Sequence, residues 1–229
     1  VSVGALTLTN NLVDDNVAIG SDALHANTTG PGNTALGCWA LTANTTAAFN
    51  TAVGFKAMFA NTTGQGVAVG YNALLANTIG ANLVAIGYRA LEANTSANDN
   101  IAVGSLALNA NTTGAGNVAV GSSALGSCVS ASSNTAVGQS ALFHNTGAGN
   151  TALGANALLA NTTGVQSVAV GRDALVAATT AVWNTAVGAA ALSALTTGLS
   201  NTAVGMGAGS APDGVSANAT VVGNSNVFV

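Results

Sequence analysis

The sequence predicts an all-β chain, a parallel β-solenoid built from coils of about 17 residues, each with two short strands. The first observation behind this is a repeat. A glycine closing an Asn-Thr-Ala-Val-Gly-like motif recurs as Gly20, Gly37, Gly54, Gly70, Gly87, Gly104, Gly121, Gly138, Gly154, Gly171, Gly188 and Gly205, and nine of the eleven intervals are 17 residues while two are 16. Self-similarity at a fixed short period marks stacked units that cannot bury their apolar face alone. The second observation is where the apolar residues lie. They form two short clusters per unit, separated by Gly and by Asn-Thr-Thr-Gly, and a helix-turn-helix repeat needs about 34 residues. Gly and Thr at fixed places also oppose helix. The third is charge, only 4% of the chain against about 25% in an average soluble domain. The polar surface must therefore come from Asn, Thr, Ser and Gly.

Each unit reads in order. Four residues before the anchor glycine stands Asn, as Asn16, Asn33, Asn50, Asn100, Asn117 and Asn134. A first strand follows, Thr or Val, then Ala, then Val, Ile or Leu. The central position is Ala in all twelve units: Ala18, Ala35, Ala52, Ala68, Ala85, Ala102, Ala119, Ala136, Ala152, Ala169, Ala186 and Ala203. The glycine supplies a corner with φ > 0. After two variable positions, a second strand is expected through Ala-Leu-x-Ala, with Leu in ten units and Met58 and Gly209 as exceptions. The unit ends on a turn such as Asn27–Gly30, Asn61–Gly64, Asn111–Gly114 or Asn161–Gly164. Gly4 and Gly223 continue the series in degenerate form, so residues 1–229 read as one domain of about 13 coils with atypical end coils 1–15 and 206–229.

Stacking at about 4.8 Å aligns like residues. Asn33, Asn50 and Asn134 in one column, and Asn61, Asn94, Asn111 and Asn161 in the other, can pass amide hydrogen bonds from coil to coil. Alternation along a strand puts the Ala column and the Val/Ile/Leu column on opposite faces. One fills the interior and the other meets a close, flat neighbour. The Ala column is read as trimer-facing or core-facing, and its uniformity argues for a sister copy close against the rod.

The runs Asn16-Val17-Ala18-Ile19-Gly20, Asn100-Ile101-Ala102-Val103-Gly104 and Asn117-Val118-Ala119-Val120-Gly121 resemble the YadA-like head repeats of trimeric autotransporter adhesins, with the core Asn-Ser-Val-Ala-Ile-Gly. Similar units occur in trimeric tail-fibre proteins. The resemblance implies a left-handed β-roll and a homotrimer. The hand comes from the resemblance alone, since parallel crossovers generally favour the right. This chain differs in carrying Thr before Ala in half the units and a longer, Thr-rich second turn. It shows no coiled-coil stalk, anchor or chaperone segment, and its opening at Val1 reads as a fragment or processed product.

Other classes are excluded by composition. The hydrophobic content of 49% opposes disorder, the 29 glycines lack a period of three, and no apolar run reaches the length of about 18 that a membrane helix needs. Three basic residues against seven acidic ones offer no field for nucleic acid. His25 and His144 fall in different columns, so no catalytic triad forms. The acids Asp14, Asp15, Asp22, Asp99, Asp173 and Asp213 lack calcium-repeat spacing, and Asp14 with Asp15 reads as a solvated turn. No enzyme activity, metal or cofactor is implied. Cys38 and Cys128 are too far apart to bridge and read as buried thiols.

The positions after the anchor glycine vary most, and variation on a rigid scaffold is where recognition can live. Trp39, Phe55, Lys56, Tyr71, Tyr88 and Arg89 form a candidate strip for a host glycan or protein, with an aromatic ladder between coils as its structural counterpart. Six Asn-Thr-Thr/Ser sequons begin at Asn27, Asn44, Asn61, Asn94, Asn111 and Asn161, and recurrence of the turn explains them without glycosylation. The expected function is an adhesive or structural module of an extracellular trimeric fibre, on a cell surface or a virion. A filament or sheath subunit is the alternative. An ice-binding solenoid is disfavoured, because adjacent Thr residues point opposite ways.

Overall fold

The computed structural model describes residues 1–210 and 227–228, and no helix occurs among them. It divides into two compact units, Val1–Gly116 and Asn117–Val229. In the first, β1 (Ser2–Val3), β2 (Val17–Ile19), β3 (Thr34–Leu36), β4 (Thr51–Val53), β5 (Gly66–Val69), β6 (Leu83–Ile86) and β7 (Ile101–Val103) pair in sequence order, all parallel. In the second, β8 (Val118–Val120), β9 (Thr135–Val137), β10 (Thr151–Leu153), β11 (Val168–Val170), β12 (Thr185–Val187), β13 (Thr202–Val204) and β14 (Val227–Phe228) do the same. Register is perfect along the repeat: Ala18, Ala35, Ala52, Ala68, Ala85 and Ala102 are successive partners, and so are Ala119, Ala136, Ala152, Ala169, Ala186 and Ala203. Each unit is a β-solenoid with one turn of chain per repeat. Gly223, Asp213 and most of the expected end coil 206–229 lie outside the described residues.

The anchor glycine is required twice over. At Gly37 φ is +139°, and a Cβ there would sit 2.4 Å from the carbonyl oxygen of Gly54 in the following turn. Any side chain would both strain the backbone and push the turns apart.

The second strand is a correction. The Ala-Leu segment folds instead as two tight turns in sequence, seen in Ala40 N–H donating to Gly37 O (3.2 Å) and Asn44 N–H to Leu41 O (3.1 Å). Leu41 has φ +51°, and its equivalents Leu24, Met58, Leu74 and Leu91 lie between +50° and +52°. A left-handed Leu costs about 1–2 kcal/mol. Full burial of its side chain returns about 1.5–3 kcal/mol, which offsets the strain. Backbone bridging between turns continues here without a strand: Leu41 N–H donates forward to Ala57 O (3.0 Å) while Trp39 N–H donates back to Ser21 O (2.8 Å).

Of the two readings of the Ala column, the structure gives the core-facing one. All twelve of its residues are 0% exposed within the single chain, whereas the Val/Ile/Leu column is half-buried to exposed, with Leu36 at 45%. The Ala column thus lines the interior, opposite the Ala and Leu of the tight turns, and leaves nothing there for a sister copy. Uniform Ala reflects internal close packing.

Candidate functional site

Both Asn columns are buried, and their amides are hydrogen-bonded from turn to turn except at Asn111 and Asn161, whose Oδ1 atoms have no donor. In the turn column, Nδ2 of Asn44, Asn61, Asn77, Asn94 and Asn111 donates to Oδ1 of the preceding rung at 2.9–3.2 Å. The second amide hydrogen closes the local turn, as from Asn61 to Gly64 O (3.0 Å). In the strand-leading column, Oδ1 accepts the backbone N–H of the next turn, as Asn33 does from Asn50 (2.9 Å) and Asn134 from Asn150 (2.9 Å). In the turn column of the second unit, Asn161 Nδ2 donates to Asn145 Oδ1 (2.6 Å). All six sequon asparagines are 0% exposed with Nδ2 engaged inside the chain. A glycan cannot be attached to them in this fold. Asn77 and Asn145 belong to the same ladder although they begin no sequon; their position seven residues after an anchor glycine is the signal.

The six strip residues sit at the tight turn that follows the anchor glycine. Trp39, Lys56 and Arg89 occupy its third position with φ between +53° and +61°, the place where such a turn demands φ > 0. Phe55, Tyr71 and Tyr88 occupy the second. The structure brings the aromatic members together: Trp39 meets Phe55 edge-on at 5.3 Å between centroids, Phe55 stacks on Tyr71 at 5.4 Å and Tyr71 on Tyr88 at 5.5 Å. The near-parallel rings turn their faces to one another. This is the inter-coil ladder, with half-exposed edges along its outer side.

The two cations of the strip differ. Arg89 Nε donates to Glu92 Oε2 (2.5 Å), and that carboxylate also accepts from Asn72 (3.1 Å) and Asn109 (3.1 Å). Arg89 is therefore spent on a local network. Lys56 Nζ instead lies 4.9 Å from the Trp39 ring, 5.5 Å from Phe55 and 5.6 Å from Phe59. Beside it opens a pocket of about 280 Å³ lined by Asp22, Trp39, Thr42, Lys56 and Phe59. Asp22, Thr42 and Phe59 were not expected in a site. They come from positions two and five past the anchor glycine, in three successive turns, and only the stacking register unites them.

The remaining candidates stay apart. His25 Nδ1 lies 3.0 Å from Thr9 Oγ1, and the His144 ring lies edge-on to Phe143. Asp14 and Asp15 are exposed, and no cluster of three His, Cys, Asp or Glu occurs among the described residues. Both cysteines are free; Cys128 is buried, but Cys38 is only half-buried, a correction to the expected pair of buried thiols.

The outer face of the strands carries a further feature. The residues before and after the buried Ala, such as Thr34 and Leu36 or Val84 and Ile86, include no charged side chain in any of the twelve units. In each unit this makes a stripe of Val, Ile, Leu and Thr along one side.

Fold and site together define a short-turn β-solenoid repeat protein, with a charge-free apolar stripe on the strand face and an aromatic ladder at the turn. No protein-family model, curated protein or solved structure matches the chain. No helix among the described residues is long and apolar enough to cross a membrane.

Proposed function

We propose that the chain is a structural and adhesive module of a homotrimeric extracellular fibre or adhesin, on a cell surface or a virion, holding a host-surface target along its turn face. The observation that carries this reading is the outer Val/Ile/Leu column. A monomer rarely leaves a continuous apolar stripe open to water, and soluble surfaces ordinarily carry interspersed charges that oppose association. Here charge is absent from that face in every unit. Packing it against sister chains removes the aliphatic side chains from water at about 25 cal/mol per Å². With the Ala column turned to the core, the interface column in this reading is Val/Ile/Leu. Three-fold assembly is supported by the resemblance of the Asn-x-Ala-x-Gly units to trimeric adhesin heads.

The test is solution mass by light scattering. The expected value is three times the chain mass of 21.8 kDa, and Leu36→Lys together with Leu153→Lys should convert the trimer to monomer. A wild-type mass equal to one chain overturns the reading. An open-ended series of masses points to the filament alternative.

A further inference from the structure

Resting on the adhesive reading, we propose that the pocket formed by Asp22, Trp39, Thr42, Lys56 and Phe59 receives an acidic sugar, a pyranose bearing a carboxylate, from a surface glycan. At about 280 Å³ the pocket lies just below the range of roughly 300–1,000 Å³ typical of drug-sized ligands, so it takes a single ring. Trp39 and Phe59 provide apolar walls for the C–H face of that ring. The indole is held in place, because its Nε1 donates to Asp22 Oδ2 (3.2 Å) and its edge meets Phe55.

The polar groups decide the ligand's chemistry. Lys56 has no carboxylate within ion-pair distance among the described residues, where the ion pairs are Arg89–Glu92 and Arg172–Asp173. Its ammonium is a compact charge with three donors, steadied by three rings that accept no strong hydrogen bond. It therefore calls for an anionic oxygen. Asp22 calls for the reverse. Its Oδ2 already accepts from Trp39 Nε1 and from Ser21 Oγ (2.8 Å), while Oδ1 has no protein donor among the described residues. Two hydrogen bonds have met much of that carboxylate's demand, so a neutral hydroxyl suits the remaining oxygen. An acid at one edge, hydroxyls at the other and C–H groups between are the features of a uronic-acid ring. A sulfate ion has no donor for Asp22, and neither sulfate nor phosphate has an apolar face for the rings.

The experiment uses the full chain with Trp183→Phe, which leaves Trp39 as the sole indole. Its fluorescence is titrated with D-glucuronate, D-glucose and acetate. Glucuronate should saturate with a Kd on the order of 1 mM, and the other two should bind at least about tenfold more weakly. Lys56→Gln should weaken glucuronate about tenfold, the effect of one lost charge-assisted hydrogen bond, with an unchanged melting midpoint. Absence of saturation, equal binding of acetate or glucose, or an unaffected Lys56→Gln variant each overturns the proposal. Mass is measured on the same samples: a trimer that fails to bind refutes the pocket alone, and a monomer that binds glucuronate refutes the fibre reading alone.

Discussion

The two units share one backbone plan but not one interior. In the first, the turn-column ladder runs unbroken from Asn27 through Asn44, Asn61, Asn77 and Asn94 to Asn111. In the second, the same positions read Cys128, Asn145, Asn161, Ala178 and Leu195. Asn161 Oδ1 is left buried without a donor, because Ala178 stands where the next rung would be. The surfaces differ likewise. The first unit carries the four-ring ladder, while Trp183 of the second is exposed and its indole donates to Gln166 (2.6 Å). Backbone bridging is nevertheless the same, as Leu91 N–H to Ala107 O (3.0 Å) and Leu175 N–H to Ala191 O (2.9 Å) show. The stack is therefore held by main-chain bonds and the Ala/Leu interior. The Asn ladder adds polar satisfaction that aliphatic residues can replace.

The largest expected effect probes that difference. Asn94→Ala strips a partner from Asn77 Oδ1, Ala97 O and Asn111 Nδ2, and should destabilise by about 3 kcal/mol in denaturant unfolding, since each orphaned buried group costs about 1–3 kcal/mol. Asn161→Ala should cost less than half as much. Its two acceptors, Asn145 Oδ1 and Gly164 O, keep a second donor in Asn150. Equal losses would show that the ladder acts locally in both units. Next, Tyr71→Ala removes two ring contacts and should cost about 1–2 kcal/mol at roughly 0.5–1.5 kcal/mol per pair, whereas Trp183→Ala should change the melting midpoint little. Ala178→Asn supplies the missing donor to Asn161 but turns its own Oδ1 toward Leu195, so it should change stability by less than about 1 kcal/mol. The smallest effect concerns pH. Burial pushes the Cys128 thiol up, so the fold holds that proton more tightly than the unfolded chain. Its contribution is whole below the usual thiol value of about 8.5 and is lost as pH rises through the folded value. Cys128→Ser should flatten a shallow alkaline decline in stability, and Ellman's reagent at pH 8 should label Cys38 well before Cys128.

Much of this was legible in the chain. The glycine spacing gives the turn length, and the positions of Ala18 to Ala203 give the register. The recurrence of Asn33, Asn50 and Asn134, and of Asn61, Asn94 and Asn111, gives both ladders. The alternation of Ala35 with Thr34 and Leu36 shows that they face opposite ways, but not which way is inward. That depends on how near Ala40 and Leu41 approach from the far wall. The tight turn at Leu41 was illegible for a related reason: a left-handed Leu is intrinsically unfavourable, and only its burial in the assembled coil maintains it. Arg89 reads as a free cation until Glu92, three residues on, is seen to share its turn.

The two sixteen-residue turns carry a consequence for register. In the first of them Gly66 stands where Asn is usual, and its N–H still reaches Asn50 Oδ1 (2.8 Å); in the second Asn150 keeps that place, and its N–H reaches Asn134 Oδ1 (2.9 Å). Loss of one residue is absorbed at that corner, and the strand beyond resumes its pairing of Ala52 with Ala68. A turn one residue short therefore still hands the chain on in register, and Ala136 meets Ala152 after the second such turn as Ala52 meets Ala68 after the first.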